Sequence, residues 1–104
     1  MTAATELAGA TLTDANLTDA NLIGANLTGA DLANASLNGA NLTGANLAYA
    51  ELYDANLTGA NLTGADLQGA DLIGAILTGA ELVGGNWSGT ICPNGTVTNT
   101  GCPT

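Results

Sequence analysis

Few groups in this 104-residue chain can do chemistry: nine carboxylates, two tyrosines, two cysteines and many hydroxyls and amides, with no Lys, Arg or His and a formal charge of −9. Asp31, Glu51 and Asp71 recur at one spacing, and Asp14, Tyr53 and Asp54 share their sequence neighbourhood. Carboxylates are hard oxygen ligands, so Asp31, Glu51 and Asp71 suit weak binding of a divalent cation of the calcium kind. A carboxylate pair also suits glycoside hydrolysis. The plainest alternative is a solvated face that keeps the chain in solution. What is missing decides more. Without His, Lys or Arg there is no imidazole general base, no Schiff base, no arginine clamp and no histidine metal site. Contacts to nucleic-acid phosphates and polybasic attachment to anionic lipid fail for the same reason. The chain reads as non-enzymatic and without a cofactor.

Cys92 and Cys102 flank turn residues Pro93-Asn94-Gly95. A disulfide between them would staple a short hairpin, contributing about 2–3 kcal/mol for so small a loop; two free thiols in a reducing cytosol are the alternative. Neither spacing nor composition completes a zinc site. Residues 1–6 lack the basic start and apolar stretch of a signal peptide, so a targeting segment is either missing or already removed. No run approaches the roughly 18 apolar residues of a spanning helix, so no membrane partner is expected.

The elements that position these groups follow from the leucines. They stand at every fifth residue: Leu7, Leu12, Leu17, Leu22, Leu27, Leu32, Leu37, Leu42, Leu47, Leu52, Leu57, Leu62, Leu67, Leu72, Leu77 and Leu82, with Trp87 in the next place. Alanine precedes most of them by two positions, Asn or Asp by one, and Gly commonly follows by two. In a helix, at about 100° per residue, these leucines would wind around every face. In a flat strand they would alternate between faces. The pattern instead requires a coil that turns inward Leu and Ala, the core of the molecule, and makes a corner near each Gly.

The unit Ala-(Asp/Asn)-Leu-x-x resembles the signature of the pentapeptide-repeat family over residues 4–89. That resemblance implies an all-β fold, a right-handed quadrilateral parallel β-helix of 20 residues per coil and about four coils, a rod roughly 20 Å long at the usual strand spacing of about 4.8 Å. It implies two regions, the β-helix over 1–89 and a C-terminal capping tail over 90–104. Cys-Pro-Asn-Gly-Thr in that tail is similar to the endings of cyanobacterial members. With the disulfide it points to export to the periplasm or thylakoid lumen; a cytoplasmic location is the alternative.

A 20-residue coil stacks outward residues in columns. Asn21, Asn41 and Asn61 form one, expected to bond as an amide ladder; Asp31, Glu51 and Asp71 form another, and Asp14, Asn34 and Asp54 a third. Asp14, Asp31, Glu51, Tyr53, Asp54 and Asp71 thereby share one side, the candidate interaction face for a protein partner. Ile73, Ile76 and Val83 point outward and are expected to lie under the tail. The first coil, with about four residues before it, is an open end suited to a homodimer. One branch of the family comprises acidic DNA mimics that protect gyrase, which the charge makes an alternative, although Leu in place of the usual Phe and the short length argue against it.

Overall fold

The computed structural model describes residues 5–104. Each pentapeptide is a turn followed by one bridge residue. The leucine carbonyl accepts the N–H three residues on, as Leu42 does from Ala45 at 2.9 Å and Leu57 from Ala60 at 3.0 Å. The third residue of each turn has φ between 58 and 77° at every corner from Gly9 to Gly89. A positive φ there marks a type II turn and explains the glycine column. Asp14, Asp19, Asn34 and Asp54 occupy the same slot, residues that tolerate the left-handed region best after Gly. Tyr49, at φ 60°, is the exception.

The unit Ala40–Gly44 shows where the backbone donors go. Ala40 closes the preceding turn on Leu37 O (3.0 Å), and Asn41 donates down the axis to Ala20 O (2.9 Å). Leu42 and Gly44 donate up the axis to Asn61 O (2.7 Å) and Thr63 O (2.9 Å). The remaining donor, Thr43, bonds the Asn41 side-chain Oδ1 at 3.1 Å. All five donors are satisfied, which buried or half-buried backbone demands. The Asn or Asp before each leucine is thus an Asx-turn acceptor for a donor that no neighbouring coil reaches. This corrects the amide ladder expected for Asn21, Asn41 and Asn61. Their Oδ1 atoms accept from Ile23, Thr43 and Thr63 of their own units, because the local donor would otherwise be unpaired.

Bridges join residues 20 apart in parallel, from Glu6↔Asn26 to Asp71↔Ile91. The chain is therefore a four-sided parallel β-helix of about four coils. Its sides are too short for continuous strands. Leucines from Leu22 to Leu72 are 0–1% exposed and the alanines between them fill the remaining interior; Leu7, Leu12 and Leu82, at the two ends, are only half-buried. The extents, 31 × 24 × 22 Å, describe a stub more than a rod, since so few coils barely exceed their own width.

The winding runs past residue 89. Ile91 donates to Ala70 O (2.9 Å), and Ile91 O and Pro93 O accept from Leu72 and Gly74. Cys92 takes the next leucine place, 1% exposed. Thr90 takes an alanine place, and its buried hydroxyl donates to Leu67 O at 2.6 Å. The chain then reverses over Pro93-Asn94-Gly95, where Gly95 has φ 85°, Gly95 N–H bonds Cys92 O (2.8 Å) and Cys92 N–H bonds Thr96 O (2.7 Å). A three-residue loop of this kind builds a hairpin: β1 (Thr90–Ile91) pairs antiparallel with β2 (Val97–Thr98). The Cys92–Cys102 disulfide, with Cα atoms 5.4 Å apart, ties the tail back over the last coil. The tail does not cover the outward aliphatic residues as expected: Ile73, Ile76 and Val83 are 46, 47 and 77% exposed, because it folds across the end of the coil and not down its sides.

At the other end, the N–H groups of Thr11, Asn16 and Asn21, which higher coils would direct downward, have no acceptor among the described residues. The part of the proposed dimer surface formed by residues 1–4 lies outside the described residues.

Candidate interaction face

The second side of the square, built from residues 10–14, 30–34, 50–54, 70–74 and 90–93, carries the acidic column. Asp31 bridges to Glu51 and Glu51 to Asp71 in parallel register, so the three carboxylates rise one per coil at about the 4.8 Å spacing of adjacent strands. The turn chemistry differentiates them. Asp31 Oδ1 accepts from Ala33 N–H and Asp71 Oδ1 from Ile73 N–H, both at 3.0 Å, which fixes those side chains and leaves one oxygen of each turned outward. Glu51 makes no such bond among the described residues, its carboxylate standing one methylene further from the backbone, and both its oxygens are free.

Tyr53 stands beside this column, 40% exposed. Its phenol is pushed above its usual value of 10.0, first by the Asp31 carboxylate, then by partial desolvation, then by Glu51, Asp71 and Asp54. Asp31, Glu51, Asp54 and Asp71 thus all act on one phenol. Asp14 is not among them. It sits at a corner two coils below Asp54 and accepts from Asn34 Nδ2 at 2.7 Å. With no Lys, Arg or His in the sequence, the gathered carboxylates have no basic side chain to pair with. Among the described residues no group of three or more acids, Cys or His is arranged to hold a metal ion.

Two neighbours are not assigned to this face by the sequence. Ile73, above Tyr53 in the same column, is an exposed aliphatic residue continuous with the acids. Tyr49 occupies the corner between the first and second sides, 60% exposed, in the glycine slot. Its ring lies over Gly69 one coil above, where a Cβ would come within 2.6 Å of the ring carbon Cδ1. The signal was an aromatic residue in a glycine column, readable only once the slot's left-handed backbone is known.

Comparison with known proteins agrees with this architecture. The family described as pentapeptide repeats matches in eight copies over residues 3–32, 25–64 and 55–91. The chain belongs to the pentapeptide-repeat family, and its coil is that family's right-handed four-sided β-helix. Among solved structures it is similar to a pentapeptide repeat protein of the Arabidopsis thaliana thylakoid lumen, at 36% identity and TM-score 0.80, covering 83% of this chain and 60% of that one. It is also similar to HetL of the cyanobacterium Nostoc, a protein involved in heterocyst differentiation regulation (30% identity, TM-score 0.49, 89% of this chain and 64% of that one). A further Nostoc pentapeptide repeat protein matches at 38% identity and TM-score 0.44, over 86% of this chain and 71% of that one. The chain thus spans less than two thirds of the length of the first two. No curated protein matches it.

Proposed function

We propose that this protein is a non-enzymatic interaction module whose second side docks a basic segment of a protein partner. The observation that carries the reading is the column Asp31–Glu51–Asp71 in bridged register beside exposed Tyr53 and Ile73, in a chain with no Lys or Arg to neutralise it. Like charges stacked one coil apart repel one another, and a partner's ammonium or guanidinium groups relieve that repulsion on binding. The aromatic and aliphatic residues beside the column give a partner's aliphatic stems apolar surface to lie on. A location in an oxidising compartment outside the cytosol accords with the disulfide and with the lumenal origin of a similar protein.

The test is calorimetric titration with a lysine-bearing peptide and with its uncharged glutamine counterpart, at low and at physiological salt. Binding of the lysine peptide is expected to weaken with salt and to be lost in the triple variant Asp31→Asn, Glu51→Gln, Asp71→Asn. Equal binding by the native and triple-variant proteins would exclude this face. Thiol labelling in extracts of the native host tests the compartment, and free Cys92 and Cys102 would contradict it. The DNA-mimic alternative rests on the acidic charge of a family member and the cation-binding one on the column Asp31, Glu51 and Asp71. Gyrase supercoiling assays and calcium titration test them separately.

A further inference from the structure

We propose that the Cys92–Cys102 disulfide is a redox latch holding residues 99–104 as a lid over the C-terminal end of the β-helix, and that a dithiol reductant releases the lid without unfolding the coil.

The tail has two parts that are held in different ways. Residues 90–98 are built into the fold: Ile91 and Pro93 carbonyls accept from Leu72 and Gly74, β1 pairs with β2, and Asn94 Oδ1 accepts from Thr96 N–H inside the loop. Residues 99–104 have no such ladder. Among the described residues, their single hydrogen bond to the coil is Gly89 N–H to Asn99 Oδ1 at 2.9 Å. The bonds of Thr100 and Gly101 run to Thr98, within the tail itself. What fixes the segment across the end is the bond from Cys102 to Cys92, the latter anchored in the leucine register.

Beneath the lid lies Trp87, the single tryptophan of the chain, 5% exposed, with its indole about 3.9 Å from where a Cβ on Gly101 would stand. The fit is loose. A shallow open depression of about 370 Å³ separates Ala80, Leu82 and Val83 on the coil from Thr100, Cys102 and Thr104 on the lid. The two cysteines differ in exposure: Cys92 is 1% exposed, whereas Cys102 is half-buried and borders the open depression. A reductant's thiolate therefore attacks Cys102 Sγ, giving a mixed disulfide and releasing Cys92 as a thiolate that takes up a proton. The reductant's second thiolate then displaces Cys102, which is protonated in turn, and the reductant leaves as its own disulfide. Once the bond is gone, one hydrogen bond to the coil, the turn bonds of Thr100 and Gly101 to Thr98 and a loose apolar contact are left to oppose the entropy gained by a six-residue terminal segment.

Trp87 is a built-in reporter. Full-length protein is reduced with dithiothreitol, two thiols per chain are confirmed by titration, and fluorescence, far-ultraviolet circular dichroism and amide exchange are compared with the oxidised form. Release predicts a red-shifted Trp87 emission, stronger acrylamide quenching and faster exchange at Gly89, while Leu72 and Gly74 amides and the circular dichroism are unchanged. Cys102→Ser should reproduce the reduced spectrum without reductant, and reoxidation should restore the original in native protein alone. Unchanged quenching and Gly89 exchange with both thiols free would overturn the proposal. Loss of Leu72 and Gly74 protection on reduction would also overturn it, making the disulfide a requirement for the coil and not a latch.

Discussion

Gly85 stands where the repeat calls for alanine, and it does so on account of Trp87. A Cβ at Gly85 would sit 2.8 Å from Ala65 O and 3.2 Å from the indole Nε1 of Trp87, the first a backbone atom that cannot swing aside. The inter-coil bond persists here, from Asn86 N–H to Ala65 O at 3.1 Å, against 2.9 Å from Glu81 to Ala60 O. Gly85→Ala should therefore overpack the site, at a cost of about 1–3 kcal/mol. Restricting the unfolded chain offsets about 0.4–1 kcal/mol of that. The net loss is about 1–2 kcal/mol, or a fall in Tm of roughly 5–15 °C for a domain of this size. Trp87→Leu alone leaves a void and should also destabilise, by about 2 kcal/mol. Together the two changes restore the ordinary Ala-x-Leu unit of the coils below. A double-mutant cycle in guanidinium, followed by circular dichroism because the tryptophan is lost, should give a favourable coupling of about 1–2 kcal/mol. Additive losses, or a neutral Gly85→Ala, would refute the claim that indole size dictates the glycine.

Leu42, wholly buried at mid-coil, should lose about 2–5 kcal/mol on replacement by Ala in chemical denaturation, whereas Ala45→Leu should strain the interior by about 1–3 kcal/mol; an unchanged melting curve for the latter would contradict the packing. Asn41→Ala removes the acceptor of Thr43 N–H and should cost about 1 kcal/mol, but Asn41→Asp, which can accept and not donate, should be nearly neutral; an equal loss in both would favour an amide ladder. Tyr53 should titrate above 10.0 in phenolate absorbance measured in a Tyr49→Phe background, and Asp31→Asn should bring it back toward that value. Because its folded value is raised, its contribution to stability is full below pH 10 and is lost as pH climbs through the folded value, so unfolding should become easier only in strong alkali.

The leucine and alanine spacing made the interior legible, since a five-residue apolar period fits no helix or strand. The columns followed from the 20-residue repeat, and the bridges from Asp31 through Glu51 to Asp71 match them. Other features were not readable from spacing. Asn recurs at the same interval whether it bonds the coil above or its own turn, and only the tally of backbone donors decides for the turn. Tyr49 looks like any surface aromatic until its slot is seen to require a left-handed backbone. Trp87 and Cys92 keep the leucine register past the last Ala-Asn-Leu unit, so the winding continues through composition that resembles a separate tail.

The four-sided stacking also gives the chain a reading frame. Removing or adding 20 residues in mid-coil would change the height of the molecule and leave every side with its own kind of surface. Removing five would preserve the core just as well, because each unit is interchangeable inside, yet it would turn everything downstream by a quarter. Taking out residues 55–59, for example, would carry Asp71 round to the side next to that of Asp31 and Glu51 while leaving a leucine on every side of the core. Length changes in this fold can therefore keep its stability while reassigning its surface, and variants that differ by one pentapeptide can be equally well folded and present different faces.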